Sequence, residues 1–200
     1  MIAIVDYGAG NLTSVARAFA AIGAPAVVTR SPRTVLDADA VIVPGVGHFG
    51  ATAAIGSELR ACLRICAGTK PLLGICLGMQ FLFDGSDEAP DLSGLGMIEG
   101  RCALLRPPPP AKVPHVGWNT LDRTGPSRLL TDVEESAAFY FTHSYAAPIN
   151  DACVARASDG QPFAAIVEAG FVSGVQFHPE KSGTHGLQLL RNFVQCCVSA

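Results

Sequence analysis

The chain has 200 residues, of which 49% are hydrophobic and 16% charged, and its formal net charge is −3. This composition excludes intrinsic disorder, and so small a charge, with no run of Lys or Arg, makes nucleic acid an unlikely partner. The longest apolar stretch, Ala18 to Val28, is too short to cross a membrane as a helix. We therefore expect one globular, soluble domain over residues 1–200.

The first half alternates β-branched runs with helical patterns, which is typical of a parallel sheet covered by helices on both faces. Asn11 stands at an N-cap position, and the apolar spacing after it predicts a helix that ends at Gly23. Leu59 to Cys66 give a second helical stripe. The predicted strands of this half are Ile2–Val5, Ala26–Thr29, Ala40–Val43 and Leu72–Ile75.

After about Gly94 strand patterns dominate, which predicts hairpins. Pro107 to Pro110 predict a stiff surface loop, and the apolar spacing over residues 187–197 predicts a closing helix. The predicted strands here are Arg101–Arg106, Ala138–Thr142, Ala164–Glu168 and Val172–Phe177. The sequence thus predicts an α/β single domain with a mixed, mostly parallel central sheet flanked by helices.

The cysteines and histidines give no sign of a disulfide framework, a metal site or a bound cofactor. The seven cysteines include no Cys-x-x-Cys pair, and the N-terminus lacks the basic start of a signal peptide, so we expect reduced thiols in the cytoplasm. His48, His115 and His185 lack metal-ligand spacing. A dinucleotide fingerprint that begins at Gly8 fails at Thr13.

The segment Gly74-Ile75-Cys76-Leu77-Gly78 joins a predicted strand to a helix in the form of a nucleophile elbow that carries sulfur. The nucleophile of such an elbow has a strained backbone, and a side chain at position 74 or 78 would collide with the neighbouring strand or helix. The helix N-terminus favours the Cys76 thiolate, and the N–H of Leu77 points to where an oxyanion would form. The alternative is a buried cysteine between two packing glycines.

A general base is available in the segment Phe177-His178-Pro179-Glu180. Proline favours an extended backbone at His178, so the side chains of His178 and Glu180 project to the same side. With Cys76 they form the nucleophile, base and orienting carboxylate of a triad. Taken alone, this segment is more often a polar turn after a strand.

A glycine-rich loop, Pro44-Gly45-Val46-Gly47, follows the predicted strand that ends at Val43. It lies at the carboxyl edge of the sheet, where α/β proteins bind ligands. Val46 and Gly47 are therefore the predicted source of a second oxyanion donor. The alternative is an ordinary turn into the next helix.

On these residues the chain resembles the triad-type, class I glutamine amidotransferases. Within that class it is similar to the glutaminase subunits of imidazole glycerol phosphate synthase, in segments that span nearly the whole chain. The segments most specific to that family are Asp6-Tyr7-Gly8-Ala9-Gly10-Asn11 and Pro114-His115-Val116-Gly117-Trp118-Asn119.

The resemblance implies hydrolysis of glutamine to glutamate and ammonia, with Cys76 as nucleophile. It also implies a set of residues that line the glutamine pocket. Among them, Glu88 suits the α-ammonium and donors near Ser144 suit the α-carboxylate, although both could be solvated loop residues. The implied pocket residues are Gln80, Glu88, His143, Ser144 and Tyr145.

The family also implies a partner, because ammonia released into water is protonated and loses its nucleophilicity. The partner is a cyclase with a (β/α)₈ barrel, which uses the ammonia to make imidazole glycerol phosphate and aminoimidazole carboxamide ribotide in histidine biosynthesis. A 200-residue chain has no room for such a barrel of about 250 residues. The implied interface residues are Asn11, Trp118, Tyr140 and Lys181, with a core position as the alternative for Trp118.

Three other hypotheses stay open from the sequence. The chain could be the glutaminase of another ammonia-using synthase, although the segment from Pro114 to Asn119 argues against this. It could also be a catalytically silent binding module, or a cysteine peptidase. The presence of Cys76, His178 and Glu180 together favours an enzyme.

Overall fold

The structure is a computed structural model that describes residues 1–196. Its first half follows the predicted alternation of strand and helix. The elements in order are β1 (Ile2–Val5), α1 (Leu12–Ala21), β2 (Ala26–Thr29), α2 (Pro32–Asp37), β3 (Ala40–Gly45), a 3-10 helix (Phe49–Ala54), α3 (Ser57–Thr69), β4 (Leu72–Cys76) and α4 (Leu77–Leu82).

Strands dominate the second half, as predicted. They are β5 (Gly85–Ser86), β6 (Arg101–Leu104), β7 (His115–Thr120), β8 (Asp122–Arg123), β9 (Ala138–His143), β10 (Tyr145–Ala146), β11 (Cys153–Ser158), β12 (Pro162–Ala169) and β13 (Val172–Val175). A short 3-10 helix (Pro179–Lys181) and α5 (Gly183–Cys196) follow.

The central sheet has eight strands in the order β2-β1-β3-β4-β13-β12-β11-β8. The strands from β2 to β13 run parallel, whereas β12, β11 and β8 each run antiparallel to their neighbour. The predicted mixed, mostly parallel sheet is therefore confirmed. Two small sheets, β10-β6-β5 and β7-β9, lie outside it.

Both faces of the sheet are buried, as the apolar strands predict. Along β1, Ile2 and Ile4 belong to one hydrophobic cluster and Ala3 and Val5 to another, because successive side chains point to opposite faces. The first cluster includes residues of α1 and α5, and the second includes residues of α2 and α3. The carboxyl ends of the central strands are left free to carry a site.

Asn11 caps α1 as predicted, since its side-chain oxygen accepts a hydrogen bond from the backbone N–H of Ser14. Two predicted strands are shorter than expected: the one from Arg101 ends at Leu104, in a small sheet, and the one from Val172 ends at Val175. The closing helix is present, and its predicted last residue, Cys197, lies outside the described residues. None of the helices in residues 1–196 has the length and apolar character that crossing a bilayer would take.

Candidate active site

Cys76 lies in the sharp turn between β4 and α4. Its backbone has φ +53° and ψ −110°, a left-handed conformation that L-residues rarely adopt. The strain is maintained by the buried elements on both sides of the turn, and the residue is only 5% exposed. The predicted nucleophile elbow is therefore present in the structure.

The two glycines of the elbow are required by close packing. A Cβ atom on Gly74 would lie 2.6 Å from the carbonyl oxygen of Gly78, and one on Gly78 would overlap the carbonyl oxygen of Val43. Side chains at 74 and 78 would thus collide with helix and strand backbone, as the sequence predicted.

His178 reaches the elbow because β13 is the parallel neighbour of β4. Val175 is in register with Ile75, so the residues after β13 continue beside Cys76. Nδ1 of His178 lies 2.8 Å from Oε1 of Glu180, and both side chains are almost completely buried. The predicted pairing of imidazole and carboxylate is thus formed in the structure.

The pKa of His178 reflects two opposing influences. Burial lowers it, but the nearby side chains of Cys76 and Glu180 outweigh burial and raise the pKa to about 9. Within residues 1–196, the other ring nitrogen, Nε2, is buried without a hydrogen bond, as are Oε2 of Glu180 and the hydroxyl of Tyr7. The Cys76 sulfur is therefore close enough to the imidazole to raise its pKa. Within the described residues, no other group forms a hydrogen bond with Nε2.

The predicted oxyanion donors lie next to the sulfur. Gly45, the last residue of β3, is in register with Cys76, so Val46 and Gly47 begin their loop beside it. Gly47 has φ +90°, which favours glycine. Leu77 is the first residue of α4, where a backbone N–H has no partner inside the helix.

One cavity brings the sulfur and the predicted pocket residues together. Its volume is about 320 Å³, at the small end of the range for small-molecule sites. Its lining includes Val46, Gly47, Cys76, Leu77, Gln80, Glu88, His143, Ser144 and Tyr145, together with Pro114 and Thr142. A larger cavity of about 660 Å³ near Glu99 and Asn150 has no thiol or imidazole in its lining.

Hydrogen bonds orient two polar side chains of the cavity, Glu88 and Gln80. In each of them, one side-chain oxygen takes no part in the orienting bond. Glu88 accepts a hydrogen bond at Oε2 from the backbone N–H of Phe49, at 2.6 Å. The amide nitrogen of Gln80 donates to the carbonyl oxygen of Tyr145 at 2.8 Å. Within residues 1–196, Oε1 of Glu88 and Oε1 of Gln80 take no part in these bonds and can accept a hydrogen bond from a ligand.

His143 contributes a neutral ring to the cavity wall. Its Nδ1 lies 3.0 Å from the carbonyl oxygen of Tyr145, and its Nε2 lies 3.2 Å from Nδ1 of His115. Burial lowers the pKa of His143 to about 4. Both ring nitrogens are engaged, so the ring supports the pocket without a nitrogen to spare for a ligand.

Three of the four predicted interface residues form one surface patch. Trp118 is 59% exposed, so the alternative of a core position is wrong. Its ring packs edge-on against Tyr140 at 6.0 Å, and Nζ of Lys181 lies 5.7 Å from the centre of the Tyr140 ring. The side chain of Asn11 is exposed and caps α1.

Sequence reasoning gave no role to Gln176 or to the hydroxyl of Tyr7, and treated His115 only as a surface or hydrogen-bonded histidine. All three side chains are buried at or beside the site. Gln176 stands in the same segment as His178, but only the register of β13 against β4 shows that it reaches Cys76. Among residues 1–196 no cluster of three or more His, Cys, Asp or Glu side chains is arranged to hold a metal ion.

Residues 3–196 match the protein family described as Glutamine amidotransferase class-I. A solved structure titled glutamine amidotransferase has a TM-score of 0.74 at 19% identity, covering 99% of this chain and all of that one. PurLQS from Thermotoga maritima gives 0.73 at 19% identity, with 97% of each chain covered. The fold and the family match together define a class I glutamine amidotransferase.

Three curated relatives share a more specific name, imidazole glycerol phosphate synthase subunit HisH. The protein of Methanothermobacter thermautotrophicus is 50% identical over 198 residues, 98% of each chain. That of Desulfitobacterium hafniense is 46% identical over 96% of this chain and 93% of the relative, and that of Methanopyrus kandleri 46% over 94% of both. The chain therefore belongs to the HisH family.

Proposed function

We propose that this chain hydrolyses glutamine to glutamate and ammonia, and passes the ammonia to a cyclase subunit that makes imidazole glycerol phosphate and aminoimidazole carboxamide ribotide. One observation carries the proposal: Cys76, in a strained elbow, lines one cavity with the predicted pocket residues, and its side chain lies close enough to the buried His178–Glu180 pair to raise the pKa of His178. The names of the relatives support a role in histidine biosynthesis. We place the reaction in the cytoplasm.

In the first half-reaction the Cys76 sulfur attacks the side-chain amide carbon of glutamine. A C–S bond forms, and the carbonyl π electrons move to oxygen, where the N–H of Leu77 and one from the Val46–Gly47 loop stabilise the oxyanion. His178, as imidazolium, then protonates the amide nitrogen. The C–N bond breaks, ammonia leaves, and a thioester remains.

In the second half-reaction water cleaves the thioester. Neutral His178 takes a proton from water as the hydroxide adds to the carbonyl carbon, and the same donors stabilise the second oxyanion. The C–S bond then breaks, which frees glutamate and returns the sulfur. Glu180 holds the imidazole through Nδ1 and stabilises each imidazolium state, which agrees with the raised pKa of His178.

The cavity offers complementary groups to the amino-acid end of glutamine. Oε1 of Glu88 is free to accept from the α-ammonium, while Ser144 supplies donors for the α-carboxylate. Gln80 orients the amide through its own free Oε1, and His143 with Tyr145 forms a wall.

We assign the exposed Trp118–Tyr140–Lys181 patch, with Asn11, to the cyclase interface. Trp and Tyr are enriched at binding hot spots, and the cation of Lys181 lies beside the Tyr140 ring. The backbone carbonyl of Tyr140 accepts a hydrogen bond from the backbone N–H of His178 at 2.9 Å. A cyclase bound to this patch would therefore contact Tyr140, whose backbone is hydrogen-bonded directly to the backbone of the proposed general base, His178.

The decisive test is ammonia release from glutamine by the Cys76→Ala variant, assayed with the cyclase and its ligand. We expect turnover at background level with cyclase binding intact, because the alanine removes only the nucleophile. Cys196→Ala is the matched control, since it removes a thiol from α5, and we expect normal turnover. Retained turnover in Cys76→Ala would refute the assignment.

The same assay separates the remaining hypotheses. A glutamine-analogue alkylator should label Cys76, and the wild-type chain should release ammonia mainly when the cyclase is present. A wild-type complex without turnover would favour a silent binding module. Cleavage of peptides instead of free glutamine would favour a cysteine peptidase, and normal ammonia transfer to a different acceptor would favour another synthase.

A further inference from the structure

Gln176 is a completely buried polar residue to which the proposed mechanism gives no part. It is the first residue after β13, and the register of Val175 with Ile75 brings it beside Cys76. Its amide nitrogen lies 3.7 Å from the Cys76 sulfur, within hydrogen-bond distance for sulfur, and donates to it. Gln176 does not line the substrate cavity, so its contact is with the sulfur and not with the ligand.

The direction of the Gln176 amide follows from its neighbours. The Tyr145 carbonyl can only accept a hydrogen bond, so Gln80 must present its amide NH₂ there, at 2.8 Å. The second hydrogen of that NH₂ reaches Oε1 of Gln176 at 3.1 Å, which leaves the Gln176 NH₂ facing the sulfur. If the Gln176 amide alone were flipped, its NH₂ group would face the NH₂ group of Gln80, and both are donors. If both amides were flipped, the Gln80 oxygen would face the Tyr145 carbonyl oxygen, and both are acceptors.

The Tyr145 carbonyl that sets this direction is held from a second side. Nδ1 of His143 lies 3.0 Å from the same oxygen, so this nitrogen carries the hydrogen and Nε2 accepts. His115 then donates from Nδ1 to that Nε2 at 3.2 Å. Burial lowers the pKa of both imidazoles, so each ring is neutral and has a single N–H. Only this placement of the two hydrogens allows both hydrogen bonds to form.

From this geometry we infer that Gln176 is a positioning residue for the nucleophile: its amide N–H binds the Cys76 sulfur, fixes the sulfur's direction and stabilises its anionic form. The inference rests on the proposed function, because it takes Cys76 as the nucleophile. A neutral N–H donor stabilises a thiolate more strongly than a thiol, since the charged acceptor makes the stronger hydrogen bond. The side chain acts from inside the protein, since it is completely buried and does not line the ligand cavity.

The test measures the alkylation rate of Cys76 by iodoacetamide against pH, in the full chain, by mass spectrometry of the Cys76 peptide. Gln176→Met keeps the length of the side chain and removes the donor. We expect alkylation at neutral pH to slow by about tenfold and the rate profile to move up by about one pH unit. In the complex with the cyclase, kcat for glutamine should fall while KM changes little.

Two further variants complete the test. Gln80→Met removes the group that fixes Gln176 and should move the profile in the same direction by less. Gln188→Met is the matched control, because Gln188 bonds Asn192 on α5, and its profile should coincide with that of the wild type. A variant that merely loosened the fold would expose Cys62, Cys66 or Cys102, whose pKa values burial raises, and would speed labelling there.

A Gln176→Met profile that coincides with the wild type would overturn the inference. If that variant does not fold, Gln80→Met decides alone: an upward shift supports the inference and an unchanged profile overturns it. Alkylation needs no glutamine turnover. A wild-type complex that releases no ammonia would therefore refute the proposed function, while the alkylation profiles still decide whether Gln176 acts on the sulfur.

Discussion

Strands β4 and β13 are parallel neighbours in the sheet. β4 ends at Cys76 and the segment after β13 carries His178, but these two residues are fixed in different ways. Cys76 is fixed by backbone: a left-handed turn between glycines that leave no room for a Cβ atom. His178 is fixed by a side chain, the carboxylate of Glu180, which accepts a hydrogen bond from Nδ1. The proposed nucleophile is therefore sensitive to added atoms, whereas the proposed base is sensitive to charge and pH.

The largest expected effect is a loss of glutamine turnover when Glu180, which fixes His178, is changed. Glu180→Gln keeps the shape of the carboxylate but removes the charge that stabilises the imidazolium, so we expect glutamine turnover by the complex to fall by about 10³–10⁴-fold. Glu58→Gln, an exposed change in the first turn of α3, controls for the loss of a carboxylate. Turnover of Glu180→Gln within tenfold of the wild type would show that Glu180 only packs against the ring.

Gly78→Ala tests the backbone-fixed end. The new Cβ would overlap the Val43 carbonyl oxygen, so strand or helix must shift, and we expect a loss of about 3–5 kcal/mol in the free energy of unfolding. Gly68→Ala is the matched control, because a Cβ there meets nothing within 4 Å inside α3. It should gain about 0.5–1 kcal/mol in urea unfolding. Equal stabilities for the two variants would contradict the close packing of the elbow.

The contribution of His178 to stability should depend on pH. The pKa of His178 is raised in the folded protein, from an ordinary value of 6.5 to about 9, so its stabilising contribution is complete below pH 6.5 and is lost as the pH rises through 9. The slope is at most about 1.4 kcal/mol per pH unit. The difference in unfolding free energy between the wild type and His178→Asn should shrink over that range, and a constant difference would contradict the raised pKa.

The smallest expected effect lies outside both strand ends, at the surface patch. Trp118→Ala should weaken cyclase binding by about 10–30-fold, the loss typical of an interface anchor, without a change in stability. Ile65→Ala removes an equally exposed apolar side chain from α3 and should leave affinity unchanged. Titration of each variant with the cyclase measures both. Unaltered affinity for Trp118→Ala would place the interface elsewhere.

The elements with strong local signals could be predicted from the sequence. Asn11 ahead of an apolar stripe gave α1, and the glycines around Cys76 gave the elbow. α2 escaped prediction because six residues are too few to show a helical period. β11 escaped because Ala155 and Ala157 make a weak apolar alternation, and β7 because Gly117 and exposed Val116 and Trp118 break its pattern.

The site shows the same limit at the level of single residues. The pairing of His178 with Glu180 is local and was visible in the spacing. The contact of Gln176 with Cys76 depends on the register of two strands about a hundred residues apart, which no local pattern encodes. The orientation of its amide depends in turn on Tyr145, a third segment brought in by the fold.

The position of β13 also orders events during synthesis on the ribosome. β13 lies between β4 and β12, so each of those strands lacks one of its two neighbours until residues 172–175 have emerged. A nascent chain that ends before Val172 already contains the Cys76 thiol, but it lacks His178 and strand β13 of the central sheet. Assembly of the site is therefore a late event in translation, and the incomplete chain exposes two open strand edges that a chaperone could protect.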